Sequence, residues 1–174
     1  MKILHTVAGL WEGTGGPVAS VTSLCAGLAA RGHEVTLLTG AGPLHPAVLE
    51  LRGRVRVRTE PLGPYRVGNW SSAFRDGCLE EARQADVVHD NGVWLHTNWS
   101  SVRMAVRAGR PVVRSPHGML SAWALRRSRL IKRLLWSLIE RRLFDETGLV
   151  HLASELEARD VRQLGVAAPM VVIP

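Results

Sequence analysis

Met1-Lys2-Ile3-Leu4-His5-Thr6-Val7 runs into Ala8-Gly9-Leu10-Trp11-Glu12-Gly13-Thr14-Gly15-Gly16, then through Pro17 and a helical stretch to Arg31-Gly32, and on to His33-Glu34-Val35-Thr36-Leu37-Leu38-Thr39. A β-rich run, a glycine turn, a helix and a second β-rich run make a βαβ unit, the building block of a parallel sheet. Pro17 suits a first helical turn, where its missing N–H costs nothing, and Gly32 suits a left-handed position just past the helix end.

The same alternation continues outward. Strands are expected near 2–7, 34–39, 55–59, 86–90, 111–115, 148–152 and 170–173, and helices near 17–31, 71–84, 97–108, 128–144 and 154–164. Gly165 ends the last helix, and Ser154 ahead of Glu155 and Glu157 begins it, as a cap and a helix dipole require. Segment 40–70, rich in Gly and Pro, carries the third strand between loops. The fold expected is α/β, an open and mainly parallel sheet of about seven strands with helices on both faces. In such sheets ligands sit outside the C-terminal strand ends where strand order reverses, so the loops after Val7, Asp90 and Ser115 are the ones to inspect.

Composition bounds the rest. The 174 residues are 46% hydrophobic and suffice for one buried core. Cys25 and Cys78 have neither metal-ligand nor disulfide-framework spacing, which fits a reducing compartment. The apolar run 1–7 is too short for a signal peptide, and no run reaches the roughly 18 apolar residues of a membrane span. A cytoplasmic protein is expected. Charge is lopsided: residues 1–100 balance 9 basic against 9 acidic, whereas 101–174 hold 13 against 6. Within 103–142 there are 11 basic residues and one acid, Glu140. That excess points to an anionic partner: a membrane surface, a phosphorylated substrate or nucleic acid. With no helix-turn-helix, zinc finger or basic-aromatic sheet motif, nucleic acid ranks last.

The loop around Gly15 and Gly16 can receive a phosphate on backbone N–H groups at a helix start, or it can be a plain flexible turn. It is not a P-loop, since no Gly-Lys-Ser/Thr follows. The dinucleotide motif also fails, with Val18 in place of its third glycine and Thr39-Gly40 where an acid is needed. After the fourth strand come His89, Asp90, Asn91, Trp94 and His96, acceptors and donors beside an aromatic platform, a combination suited to sugars. Asp90 reads either as a polar contact or base, or as a cap on the turn before Gly92. His5, His33, His45 and His151 read as ordinary strand or turn residues.

These pieces, in order, resemble the opening half of family 4 glycosyltransferases and their relatives of the GT-B fold. The resemblance rests on Gly15-Gly16-Pro17, Arg31-Gly32-His33-Glu34-Val35, Ala85-Asp86-Val87-Val88-His89, Ser115-Pro116-His117-Gly118-Met119, Ala153-Ser154-Glu155-Leu156-Glu157 and Val171-Val172-Ile173-Pro174. It covers nearly the whole chain. It implies a single Rossmann-like, acceptor-side N-terminal domain over 1–174, lacking the C-terminal domain that binds the nucleotide sugar. It implies transfer of a sugar with retention, in glycan or surface polysaccharide synthesis, and an isolated chain that is inactive. By the same resemblance His117 is the catalytic histidine meeting the transferred sugar, and Gly15 and Gly16 approach the donor phosphates and the acceptor; Gly118, and from their residue types Asp90, Asn91 and Trp94, are further candidate substrate contacts. The nucleotide sugar is a co-substrate; no other cofactor is expected, and with Asp-x-Asp absent no metal either. A sugar or lipid-linked glycan would be the acceptor.

The stretch Arg126 to Arg142 adds a different signal. At 100° per residue Leu130, Ile131, Leu134, Leu135, Leu138 and Ile139 share one half of a helix, and Arg129, Lys132, Arg133 and Trp136 the other. The apolar half is expected on the sheet. The basic half with its Trp is then either a contact for an anionic membrane, with the protein peripheral on the inner face, or simply solvated. The competing class for the whole chain is a non-catalytic membrane-surface or other anion-binding module.

Overall fold

The computed structural model describes residues 1–13, 15–64 and 68–174, so Thr14 of the glycine loop and residues 65–67 of the Gly/Pro-rich segment lie outside the description. Seven strands form one parallel sheet: β1 (Lys2–Val7), β2 (Glu34–Gly40), β3 (Arg56–Glu60), β4 (Val87–Asn91), β5 (Val112–Ser115), β6 (Leu149–Leu152) and β7 (Met170–Val172). Their order is β3-β2-β1-β4-β5-β6-β7. Order reverses between β1 and β4, whose register pairs His5 with His89, Thr6 with Asp90 and Val7 with Asn91. The switch point of an open α/β sheet therefore lies beyond Val7 and Asn91.

The helices are α1 (Gly16–Ala30), α2 (Pro46–Leu49), α3 (Ser72–Gln84), α4 (His96–Arg107), α5 (Ala122–Arg126), α6 (Arg129–Leu135), α7 (Arg141–Asp145) and α8 (Glu155–Gln163), with a π-helical turn, Trp136–Glu140, joining α6 to α7. Alternation along each strand decides where they pack. Val7, Val35 and Leu37 meet Val18, Val21 and Cys25 of α1 on one face. Leu4, Leu38, Val88 and Val112 meet Phe74 and Cys78 of α3 and Val102 and Ala105 of α4 on the other. A third cluster joins Val150 and Leu152 of β6 to Phe144 of α7 and Ala158 and Val161 of α8. Each buried Val, Leu or Phe among them contributes about 1.5–3 kcal/mol relative to exposure. Both cysteines are free and buried, and burial pushes the Cys25 thiol up to about 12.

The consequence of this topology is an uneven cover. α3, α4, α7 and α8 share the second face, while the first carries α1 over β1 and leaves β4 to β7 facing a cavity of about 700 Å³. Parallel sheets ordinarily bury both faces. Along this one, Val87, Val113, Leu149 and Val171 are only half-buried.

The expected long helix over 128–144 is helical but turned differently from the sequence reading. Leu130, Ile131, Leu134 and Leu138 point to solvent. The inward side holds Trp136, whose ring lies 5.7 Å from Phe144 and 6.3 Å from Trp94. Lys132 is half-buried as well, donating from Nζ to Ala124 O at 2.6 Å, with its ammonium 5.7 Å from the Trp94 ring. Two things fix this orientation. The indole offers the larger apolar surface to bury, and Glu140 at the end of the π turn is held inward by three groups described next.

Candidate functional site

Asp90 and Asn91 close β4 and project to opposite faces. Asp90 is wholly buried: its Oδ1 accepts from Thr6 Oγ1 at 3.3 Å and Asn98 Nδ2 at 3.0 Å, and its Oδ2 from Arg114 Nε at 3.2 Å. Arg114, equally buried, also bonds Glu140 Oε2 at 3.1 Å and lies 4.3 Å over the Phe144 ring. Glu140 Oε1 accepts from Trp94 N at 2.6 Å and Trp99 Nε1 at 2.9 Å. One guanidinium thus serves two carboxylates away from solvent. Burial pushes Asp90 up to about 7, against the pull of Arg114 and Asn98, and the Glu140 charge adds to the rise. The expectation that Asp90 touches an acceptor or acts as its base is corrected here. It belongs to an internal charge network, because strand alternation turns it toward α4.

Asn91 faces the cavity. Its Nδ2 donates to two carbonyls, Thr6 O at 3.2 Å and His89 O at 3.1 Å, which orients the amide and leaves Oδ1 as an acceptor. His117 Nε2 sits 3.1 Å from that oxygen and therefore carries the proton. Nδ1 is left as the lone-pair nitrogen. Burial holds the His117 pKa below the ordinary 6.5, Glu157 opposing and His151 reinforcing the shift, so the ring is neutral at pH 7. Its backbone has φ +50°, a left-handed position uncommon outside glycine and a form of local strain that recurs at functional sites.

The loop bearing His117 is tied down from α8. Gly118, at φ +75°, donates its N–H to Glu157 Oε1 at 2.7 Å, while Glu157 Oε2 accepts from Ala153 N at 2.9 Å. Ser154 Oγ in turn accepts from Glu157 N at 3.2 Å. Ser154-x-x-Glu157 is a capping box in which half of the usual reciprocal pairing has been diverted to the loop after β5. Glu157 was legible in the sequence as a helix-start acid, and its second role was not.

Below His117 the cavity floor carries an ordered chain. His151 Nε2 lies 3.0 Å from Ile173 O and donates to it, so its Nδ1 accepts from Ser115 Oγ at 2.9 Å. Ser115 Oγ then accepts from His89 Nε2 at 2.7 Å. His5 lies against His89 with the rings tilted 40° and their centroids 4.7 Å apart, and neither of its ring nitrogens has a hydrogen-bond partner among the described residues. Burial lowers His5 to about 4 and His89 well below 6.5. His5 and His151, read as ordinary strand residues, line this cavity.

After β1, Gly15 caps α1 at φ 74° and ψ −141°, a conformation open to glycine. A side-chain carbon at Gly15 or Gly16 would meet none of the described residues within 4 Å. Trp94 does not join this group. Its Nε1 donates to Met119 O at 3.2 Å, and its ring lines a separate cavity of about 910 Å³ with Arg129, Lys132, Arg133 and Trp136, Leu130 and Leu134 standing at its rim. The expected aromatic platform beside Asn91 is thus corrected: Trp94, at φ +78°, faces α6. Among the described residues no group of three His, Cys, Asp or Glu side chains is placed to hold a metal ion, and no helix is long and apolar enough to cross a membrane.

Several solved structures share this architecture. Anabaena HepE in complex with UDP superposes with a TM-score of 0.66 at 18% identity, covering 99% of this chain and 43% of its own. A Rickettsia africae glycosyltransferase gives 0.63 at 16%, covering 99% and 42%, and Acinetobacter baumannii MurG 0.57 at 15%, covering 87% and 41%. At these identities the likeness is one of fold, and the chain spans less than half the length of those proteins. No curated protein matches the sequence closely enough to count as a relative. The family model of the glycosyl transferase 4-like domain matches residues 15–174, from the glycine turn through the last strand, and the chain belongs to that family.

Proposed function

We propose that this chain is the acceptor-side half of a glycosyltransferase that moves a sugar from a nucleotide-sugar donor to an acceptor with retention. The observation that carries the reading is His117: a neutral imidazole fixed through Nε2 by Asn91, with Nδ1 free to accept from a hydroxyl, in the cavity at the strand ends that α1 also lines through Ala19 and Ser20. In that role His117 orients a hydroxyl of the sugar at the reaction centre, and Gly118 keeps its backbone in place through Glu157. The N–H groups at Gly15 and Gly16 suit the anionic diphosphate or a charged acceptor, since unpaired donors and the helix dipole converge there.

Donor contacts would come mainly from a second domain, with HepE's UDP making a uridine nucleotide the first donor to try. The acceptor would be a sugar or lipid-linked glycan of surface polysaccharide synthesis, handled in the cytoplasm on the inner face of the membrane. The test is a panel of nucleotide sugars and acceptors offered to residues 1–174 and to a protein that joins them to a donor domain. Turnover is expected from the joined protein alone. Robust transfer by residues 1–174 would overturn the division of labour.

A further inference from the structure

We infer that the arm formed by α5 and α6 is a seat for an anionic lipid bilayer, and that the surface it offers is the leucine ridge rather than the face of Lys132 and Trp136. The ridge is read from exposure. Leu130 is 80% exposed, Ile131 62%, Leu134 57% and Leu138 57%, and Trp123 on α5 is 80% exposed. Positions 130, 134 and 138 recur at one helical turn, so they form a continuous strip. Isolated exposed leucines are ordinary on a protein surface; three leucines and an isoleucine over three successive turns beside an exposed Trp are not.

Charge selects the occupant. Arg126, Arg127, Arg129 and Arg133, all exposed, border the strip, and Arg141 and Arg142 continue beyond it. The one acid of the region, Glu140, is buried and bound to Arg114, so no carboxylate on the arm offsets these cations. A second copy of the chain would bring arginines against arginines around any shared leucine strip, which like-charge repulsion opposes. A nucleic-acid backbone would satisfy the arginines and leave the leucines in water. A bilayer carrying anionic headgroups satisfies both: guanidinium groups at headgroup level, aliphatic side chains and an indole just below it. Lys132 and Trp136 act from inside, the first joining α6 to α5 through Ala124 O and the second packing on Phe144, so that the strip is left on the outer rim of the cavity beneath the arm.

The seat requires no lipid anchor, since each exposed cation near an anionic surface strengthens binding by about fivefold at low salt. That part is screened within about 10 Å at 0.1 M salt, whereas the inserted leucines are indifferent to salt.

The test is sedimentation of the chain with vesicles of phosphatidylglycerol and phosphatidylcholine, against phosphatidylcholine alone, at low and high salt. The parent should favour the anionic vesicles by at least tenfold, on the order expected for several cations. Leu130→Ser/Leu134→Ser should weaken that binding by roughly tenfold with the charge untouched, and Trp123→Ala should do the same to a smaller degree. Arg129→Glu/Arg133→Glu should abolish the anionic preference. All these side chains are exposed, so circular dichroism and melting should match the parent. Three results would each overturn the inference: no binding of the parent at low salt, unchanged binding of both apolar variants, or a dimer in sedimentation velocity that Leu130→Ser/Leu134→Ser dissolves.

Discussion

Asp90 and Asn91 are adjacent on one strand, both buried and polar, and they belong to different machines. Asp90 turns toward α4, where helices cover the sheet and Arg114, Glu140 and Asn98 close around it. Asn91 turns toward the thinly covered face, where it holds His117 and borders a cavity. Polar side chains at the C-terminal ends of parallel strands are therefore not equivalent. On the covered face they become structure, because a buried charge must be paired. On the open face they remain available, and their tautomers are set by a short chain of bonds.

This contrast can be broken experimentally, beginning with its most costly part. Arg114→Met leaves Asp90 and Glu140 buried without their cation and should cost about 3–5 kcal/mol, read by urea unfolding. A loss under 1 kcal/mol would mean the network is not what holds β4 to α7.

Acid should act on the two faces in opposite senses. His5 has its pKa lowered to about 4 in the fold, against an ordinary 6.5, so between those values the unfolded chain takes up a proton that the folded chain refuses. Stability from His5 is full above pH 6.5 and falls by roughly 2 kcal/mol by pH 5. Asp90, raised to about 7, is protonated earlier in the folded state and so opposes that loss. Urea unfolding at pH 7.5 and pH 5 should show a smaller acid loss in His5→Leu than in the parent. An identical slope would show that His5 is not the buried neutral group described.

A smaller effect is expected at the staple. Glu157→Gln removes one of two acceptors at the start of α8 and should cost about 1–2 kcal/mol. Because the Glu157 charge raises the His117 pKa, the acid limb of the pH–rate profile should move to lower pH. An unmoved limb would separate the staple from the imidazole.

Much of the fold was legible because its signals are local. The seven expected strands correspond to those observed, within a residue at each end, since short β-rich runs between glycine turns leave few alternatives. Caps at Gly32, Ser154 and Gly165 fell where backbone chemistry requires them. The short helices Pro46–Leu49 and Ala122–Arg126 were missed, being too brief to show a period. The site was less legible. Asn91 and His117 line the cavity beside the switch point, and Gly15 and Gly16 open α1 directly after β1. Asp90 and Trp94 were read by residue type, and the face each one takes depends on a register and a backbone turn that the sequence does not display. The helix around Trp136 was turned wrongly for the same reason: the π turn and the buried Glu140 decide its orientation, and neither has a periodic signature.

If His117 serves the proposed transfer on the open face without supporting the fold, its replacement should cost rate and not stability. The direct measurement is kcat and melting temperature of His117→Ala in the protein joined to its donor domain. A drop in kcat of about ten- to a thousandfold, with stability changed by less than about 0.5 kcal/mol, is the outcome predicted for a positioned polar group at a reaction centre. Unchanged kcat, or a loss of stability like that of Arg114→Met, would make His117 a structural residue and contradict the account.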